Sequence, residues 1–216
     1  MKSLKNTIKI HNNVFCNKKN KKPPILFLLG RQIFRTIFSL FYRWQIDGIE
    51  NIPKSGGAII APNHISFFDP PLIGASIYRP LYFMAKKALF DIPILRYIIK
   101  RTNAFPIEQF KNNIKTIRYA FSLLQQGNLL LIFPEGTRRK TETKDKKIEK
   151  VNPGIGMLAC RACVPLIPTK IENIDMMLKF KQIKLKYGKP IYPPKKFTKK
   201  DYICLSQKVL NIISIM

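Results

Sequence analysis

The sequence predicts an α/β protein with a mixed, largely parallel central sheet flanked by helices and preceded by an amphipathic helix. From Gln45 onward, short apolar runs typical of buried strands alternate with segments of helical periodicity. A chain of 216 residues is long enough for one sizeable core and short for two. We therefore expect one domain at 45–195, preceded by a basic tail at 1–22 and a helix at 23–44, and followed by a final helix at 196–216.

The N-terminal part joins a charged tail to an apolar segment. Residues 1–22 carry seven lysines and no acid, and residues 25–44 are rich in Ile, Leu and Phe but include Arg31, Arg35 and Arg43. Because a membrane-spanning helix needs about 20 mostly apolar residues with few charges, these arginines argue against a span. The first apolar run is also too short for a signal-peptide core. The segment is instead typical of a helix in the membrane interface beside anionic lipid, with a helix packed on the domain as the alternative.

The domain itself divides into strands and helices by its apolar pattern. Apolar runs bounded by turn-forming residues predict strands at 58–61, 81–85, 104–107, 129–133, 165–171 and 183–187. Helical patterns predict helices after Asp69, where Pro70 and Pro71 suit a first turn, and at 92–99, 112–126 and 154–162. The order of these elements indicates strand-helix-strand units of the kind that build parallel sheets.

Two segments complete the prediction. Thr198 is the expected N-cap of the final helix, because Asp201 three residues later completes a capping-box pattern. Residues 138–152 are charged and lack an apolar period, which predicts a surface loop. A lid that closes over a substrate and a passive surface loop are both compatible with this segment.

Only one of the two histidines lies where chemistry could use it. His64 follows the strand at 58–61 directly, whereas His11 lies in the lysine-rich tail. Asp69 stands five residues after His64, a spacing that suits a general base whose ring is held in one tautomer by a carboxylate. The pair therefore predicts proton abstraction.

A second motif, Phe-Pro-Glu-Gly-Thr-Arg at 133–138, closes the strand at 129–133. Ligands of open α/β sheets collect at the carboxyl ends of the strands. Gly136 allows a tight turn, so that Glu135 and Arg138 can face one site and offer a carboxylate to hydroxyls and a guanidinium to a phosphate. A surface turn with a local ion pair is the alternative.

Together these motifs make the sequence resemble the 1-acyl-sn-glycerol-3-phosphate acyltransferase family over roughly residues 45–192. His64 and Asp69 match the family's His-x4-Asp motif, and residues 133–138 match its Phe-Pro-Glu-Gly-Thr-Arg motif without a substitution. Val-Pro-Leu-Ile-Pro at 164–168 is similar to the family's hydrophobic-proline motif, and Phe-Met-Ala-Lys-Lys at 83–87 also has the look of the family.

One motif departs from the family's pattern. Asn103 stands where a glycine is usual, and Gln109 stands where the family has the basic residue tied to the acceptor phosphate. Phosphate binding then has to rely on Arg138, on Lys86 or Lys111 as secondary contacts, or on another cation. The acceptor is therefore less well defined than the reaction, and another lysophospholipid or glycerol-3-phosphate is the alternative.

The resemblance implies a 1-acylglycerol-3-phosphate O-acyltransferase that makes phosphatidic acid by direct transfer. His64 would remove the proton of the sn-2 hydroxyl as it attacks an acyl thioester, and Asp69 would orient the ring. No cofactor, metal or acyl-enzyme is implied, so Ser66 is a cap or turn residue rather than a nucleophile. The residues that the resemblance assigns to substrate binding are Asn63, Glu135, Gly136, Thr137 and Arg138.

Charge and cysteine usage indicate the partners and the compartment. Lys and Arg number 39 against 12 Asp and Glu, a net charge of +27 that favours an anionic partner. The lysines gather in tails and loops, away from the aromatic residues of the first helix, so nucleic acid is not expected. We expect lysophosphatidate in an anionic membrane, with an acyl carrier protein or coenzyme A thioester as donor.

The Cys160-x-x-Cys163 pair lacks the further ligands of a metal site and lies in a small, apolar helical run, which indicates packing. Reduced thiols of this kind are typical of the cytoplasmic side of a membrane. We therefore expect a peripheral or monotopic protein on the cytoplasmic face of the cell membrane. Chain length of the acyl group and oligomeric state have no signal in the sequence.

Overall fold

A computed structural model of the protein describes residues 25–108, 114–136 and 153–216. Its centre is a seven-stranded sheet in the order β1-β7-β6-β2-β5-β3-β4. Five neighbouring strands, β6 to β4 in that order, are parallel, whereas β7 runs antiparallel to β6 and pairs in parallel with β1. The predicted mixed, largely parallel sheet is confirmed. The strands are β1 (Gln45–Asp47), β2 (Ala58–Pro62), β3 (Leu81–Lys86), β4 (Ala104–Ile107), β5 (Leu129–Leu131), β6 (Leu166–Glu172) and β7 (Lys184–Tyr187).

Six α-helices lie within the described ranges and cover both faces of this sheet. They are α1 (Ile25–Tyr42), α2 (Asp69–Ser76), α3 (Pro93–Arg101), α4 (Ile114–Gln125), α5 (Gly154–Ala162) and α6 (Lys199–Ile215). The bounds of α5 are those predicted, and Pro70 and Pro71 lie in the first turn of α2 as expected. The capping box of α6 is also present, since the backbone N–H of Thr198 donates to Asp201 Oδ2 at 2.6 Å. This hydrogen bond lowers the pKa of Asp201.

The period-two pattern of β2 explains the three-layer packing. All five residues of β2 are buried, because alternate side chains face opposite helical layers. Ala58 and Ile60 pack with α1 and α2, and Ile59 and Ala61 pack with α4, α5 and α6. Each buried isoleucine stabilises the fold by about 1.5–3 kcal/mol relative to an exposed one. The third helix of the first layer, α3, lies beside β3 and β4, where its Ile99 packs in a cluster with Ala85.

Two strand predictions needed correction. β1 was not predicted, because it is only three residues long and its partner β7 is remote in sequence. The strand predicted at 129–133 ends at Leu131. Ile132 still donates its N–H to the carbonyl of Ile60 at 3.0 Å, after which the chain turns away from the sheet toward Gly136.

The first helix is more apolar than the sequence suggested. It ends at Tyr42, so Arg43 lies outside it, and its 18 residues have a mean hydropathy of 1.3. By length and composition it is the one helix in the described part of the chain that could cross a membrane, so a span and an interfacial helix are both compatible with it. One side of the helix is nevertheless committed to the protein, because Phe27, Phe38 and Tyr42 are buried against the domain.

The two cysteines of the Cys-x-x-Cys pair are free thiols at the end of α5. Cys160 is fully buried in the core, and this burial raises the pKa of its thiol to about 11. Cys163 is the C-cap and adopts the left-handed conformation, with φ 53°. Within the three described ranges, no group of three or more His, Cys, Asp or Glu side chains could hold a metal ion.

Candidate active site

The structure brings His64 and Asp69 together at the carboxyl end of β2. His64 lies two residues after the end of the strand, and its Nδ1 is 2.7 Å from Asp69 Oδ2. The same oxygen accepts the backbone N–H groups of Ile65 at 2.9 Å and Ser66 at 3.0 Å. Asp69 is fully buried. Its Oδ2 therefore holds, from inside the protein, both the ring of His64 and the loop that carries this ring.

The position of Asp69 at the start of α2 suits a group that accepts hydrogen bonds. It is the first residue of the helix, where the helix dipole stabilises a negative charge. The prolines that follow have no N–H groups, so they leave the carboxylate to the loop and the ring. Because Oδ2 of Asp69 already accepts two backbone N–H groups, we infer that it accepts from the ring as well, so that Nδ1 of His64 carries the hydrogen and Nε2 keeps its lone pair. The side chain of His64 is 17% exposed, which leaves this nitrogen within reach of a substrate.

Ser66, in the same loop, makes two hydrogen bonds within the loop. The Ser66 N–H donates to Asp69, and its Oγ accepts the N–H of Phe68 at 3.2 Å. These contacts are those of a turn residue, as predicted for Ser66.

Phe133 stacks on the imidazole of His64, a contact that the sequence analysis missed. The two ring centroids are 3.8 Å apart and the planes differ by 19°. β5 lies beside β2 in the sheet, so the residues that leave the two strands meet above the same edge. The stack restricts rotation of the imidazole ring. Its only signal in the sequence was the place of Phe133 at the head of the second motif.

Asn63, a predicted substrate contact, is held by the backbone of β6. Its Nδ2 donates to the carbonyl of Ile171 at 2.9 Å, and its Oδ1 accepts the N–H of the same residue at 2.7 Å. The side chain is buried between β2 and β6, and its two ends are engaged by the backbone of β6. We therefore infer that Asn63 fixes the origin of the His64 loop, and its contact with substrate stays a prediction.

The second motif forms the predicted tight turn. The Gly136 N–H donates to the carbonyl of Phe133 at 3.1 Å, and the φ of Gly136 is 72°, a conformation that favours glycine. Glu135 lies inside this turn, and both of its carboxylate oxygens are shielded from solvent. Thr137 and Arg138, together with the loop predicted at 138–152, lie outside the described residues, as do Gln109 and Lys111.

The lysines at the end of β3 lie at the same edge, because β3 runs parallel to its neighbour β5. Lys86 is exposed at the last position of the strand. Lys87 pairs with Glu108 at 2.5 Å, and this carboxylate raises the pKa of Lys87. Of the two cations, Lys86 is therefore the better candidate for a phosphate contact.

The backbone explains the departure at Asn103. This residue has a φ of 67°, in the left-handed region where glycine is most comfortable. Asparagine is among the non-glycine residues that adopt this conformation most readily. The substitution of glycine by Asn103 therefore preserves the turn that begins β4.

Comparison with known proteins defines the class. A sequence model of the acyltransferase family matches residues 43–172, more than half of the chain. The chain therefore belongs to the acyltransferase family.

Its relatives confirm the narrower resemblance to the 1-acyl-sn-glycerol-3-phosphate acyltransferases. The enzyme of that name from Bacillus subtilis is 27% identical over 162 residues, which are 73% of this chain and 78% of the relative. The chloroplastic enzyme BAT2 of Brassica napus is 25% identical over 76% of this chain, and the match spans about half (48%) of that relative. The fold resembles the crystal structure of PlsC from Thermotoga maritima, the 1-acyl-sn-glycerophosphate acyltransferase, with a TM-score of 0.70 and 24% identity, covering 88% of this chain and 77% of that one.

Proposed function

We propose that this protein transfers an acyl group from an acyl thioester to the sn-2 hydroxyl of 1-acyl-sn-glycerol-3-phosphate and so forms phosphatidic acid. The observation that carries the proposal is the pair His64 and Asp69, joined at 2.7 Å at the carboxyl edge of the sheet, in a chain of the acyltransferase family. The names of the relatives supply the acceptor.

The mechanism follows from the free nitrogen of His64. Nε2 accepts the proton of the acceptor hydroxyl while its oxygen attacks the thioester carbonyl. The new ester C–O bond forms, the C–S bond breaks, and the imidazolium returns the proton to the departing thiolate. Asp69 stabilises the imidazolium and keeps Nε2 directed at the substrate. Phe133 helps to fix the orientation of the same ring by stacking on it, and Asn63 does so by holding the start of the His64 loop.

The acceptor's phosphate needs cations at this edge. From the family motif, Arg138 is the main candidate, with Glu135, Gly136 and Thr137 holding the glycerol part, and Lys86 and Lys111 are secondary candidates. A phosphate contact persists in the ground state and the transition state, so loss of Arg138 is expected to raise KM for the acceptor more than it lowers kcat.

The surface of α1 supports a membrane location. The guanidinium of Arg31 lies 4.3 Å from the centre of the Tyr78 ring, and that of Arg35 lies 5.8 Å from the rings of both Tyr78 and Trp44. The arginines are thus turned toward the protein, and the exposed side of the helix is uncharged. Its large apolar members are Ile25, Leu28, Leu29, Ile33, Leu40 and Phe41.

A helix with such a face, on a protein of net charge +27, suits the interface of an anionic membrane. The protein would then act as a peripheral or monotopic enzyme on the cytoplasmic face of the cell membrane. Its positive charge would attract acyl carrier protein and coenzyme A alike, since both are polyanionic.

The direct test is acyl transfer to lysophosphatidate in detergent micelles, from labelled acyl carrier protein and from acyl-coenzyme A in parallel. Wild-type protein should form phosphatidate, His64→Ala should form none, and the matched control His11→Ala should keep full activity. Activity that survives His64→Ala would contradict the mechanism. The ratio of kcat/KM for the two donors identifies the physiological class of thioester.

A second candidate is a related acyltransferase with another acceptor. The residue Gln109, which replaces the usual basic residue, favours this alternative. Competition among lysophosphatidate, other lysophospholipids and glycerol-3-phosphate distinguishes the two. If another lysophospholipid or glycerol-3-phosphate is used as efficiently as lysophosphatidate, the preferred acceptor is wrong.

A further inference from the structure

The short helix α3 exposes an apolar face that the proposed reaction does not use. Ile94 is 78% exposed, Tyr97 55% and Ile98 45%. Their spacing of three and four residues puts them on one side of the helix, opposite the buried Ile99. Ile92, the residue before the helix, is exposed as well. Apolar side chains that are grouped in this way on a surface mark an interaction site more often than scattered ones do.

The position of α3 relates this face to α1. Both helices cover the same side of the sheet, because Phe83 packs against the α1 cluster and against the α3 cluster. They also contact each other directly. The chain enters α3 from the carboxyl end of β3, the edge of the sheet where His64 lies. The apolar face of α3 is therefore continuous with the side of the molecule that carries α1 and begins near the active site.

The charges around α3 identify the partner. The helix contains Arg96, Lys100 and Arg101 and no acidic residue, and α1 contains no acidic residue either. The guanidinium of Arg101 lies 4.1 Å from the centre of the Tyr97 ring and donates to its hydroxyl. A phenol and a cation held together beside isoleucines match the polar boundary of a lipid bilayer, with the rings and aliphatic stems toward the acyl chains and the charges at the headgroups.

We propose that α3 is a second membrane contact, which lies flat in the interface of an anionic bilayer and fixes the orientation of the active-site edge relative to the lipid. The inference rests on the membrane location given under the proposed function and adds to it a specific surface. Nine residues of helix extend only about 14 Å, so α3 lies along the interface and does not cross it. Two separate contacts, α1 and α3, prevent rotation about either one. Phe68, in the loop between His64 and Asp69, also exposes an apolar side chain at this edge of the sheet.

The first test measures binding of the full chain to phosphatidylcholine vesicles with and without phosphatidylglycerol, by flotation. Ile94→Glu/Ile98→Glu should lower the partition coefficient onto anionic vesicles on the order of 100-fold, because two apolar side chains leave the lipid and two repelled charges replace them. The control Ile203→Glu changes an isoleucine of similar exposure (52%) on α6, across the sheet, and should bind like wild type. Equal binding by the double variant and the control would overturn the inference.

A second measurement locates α3 directly and does not depend on a loss of binding. Trp44 is the only tryptophan, so Trp44→Phe provides a background without tryptophan fluorescence. In that background, a tryptophan at Ile94 (Ile94→Trp) should be quenched by brominated acyl chains, and one at Ile203 (Ile203→Trp) should not. The absence of quenching at position 94 in bound protein would contradict the proposal. Neither readout requires turnover, so a protein that binds through α3 but does not acylate lysophosphatidate would refute the proposed reaction alone.

Discussion

The two edges of the parallel sheet hold polar clusters of opposite design. At the carboxyl edge, Asp69 takes part in three hydrogen bonds and holds His64 by Nδ1, while the His64 side chain is 17% exposed. At the amino edge, the guanidinium of Arg79 donates to the carbonyls of Pro53, Gly56 and Gly127, each at 2.6 Å. Burial lowers the pKa of Arg79. All three of these acceptors are backbone carbonyls of loops, so the guanidinium binds the protein itself. The same sheet thus uses one buried carboxyl group to hold the ring of His64 and one half-buried guanidinium to join the loops that precede β2 and β5.

The largest effect should come from removing the charge at the carboxyl edge. Asp69→Asn should lower kcat on the order of 1000-fold, or about 4 kcal/mol of transition-state stabilisation, because the imidazolium loses its counter-charge. Steady-state kinetics on lysophosphatidate measure this loss. Asp47→Asn is the matched control, since Asp47 is exposed on β1. An Asp69→Asn enzyme with near-normal kcat would show that the carboxylate has no function in turnover.

Arg79→Met should lower the stability of the protein through the amino edge of the sheet. Three carbonyls lose a charged donor, so we expect the free energy of unfolding in urea to fall by about 3 kcal/mol. The kcat of the folded fraction should remain close to that of wild type, because Arg79 and His64 lie at opposite edges of the sheet. Arg161→Met, on the exposed side of α5, should leave stability unchanged. A selective loss of kcat in Arg79→Met would refute the separation of the two edges.

A smaller effect is expected at the ring stack. Phe133→Leu keeps an apolar side chain but removes the flat surface on which His64 lies. We expect kcat to fall about tenfold, equivalent to about 1.4 kcal/mol, with KM unchanged, because the ring samples orientations that do not reach the hydroxyl. Phe133→Tyr keeps the ring and should retain most of the activity. A rise in KM without a fall in kcat would instead indicate that Phe133 contacts the substrate.

The smallest effect is a gain in stability near the amino edge, where α5 leads into β6. Cys163 occupies the left-handed C-cap of α5, where a β-carbon is unfavourable. Cys163→Gly should raise the free energy of unfolding by about 1 kcal/mol and leave kcat unchanged. Cys204→Ala, at an exposed position of α6, is the control for simple loss of a thiol. Destabilisation by Cys163→Gly would mean that the side chain contributes more than its backbone strain costs.

Local patterns were sufficient for much of this fold. The bounds of α5, the capping box at Thr198 and the turn at Gly136 are encoded within a few residues of sequence, and each was predicted. His64 and Asp69 are five residues apart, so their contact also follows from local geometry.

Contacts between remote segments could not be predicted in the same way. The pairing of Asn63 with Ile171 joins residues 108 apart, and nothing in the Asn63 loop specifies its partner. The stack of Phe133 on His64 depends on which strand lies beside β2. The arginines of α1 were counted as exposed charges, since only the fold reveals that Tyr78 lies beneath them.

The sharing of one Asp69 oxygen by the ring and two loop amides has a kinetic consequence. Opening of the 64–69 loop would break the same three hydrogen bonds that orient the His64 ring, so we expect loop order and ring orientation to be lost together. In a molecule whose loop has opened, the imidazole of His64 would have no fixed orientation. In the proposed reaction an open loop would leave the molecule inert, because His64 would no longer face the acceptor hydroxyl.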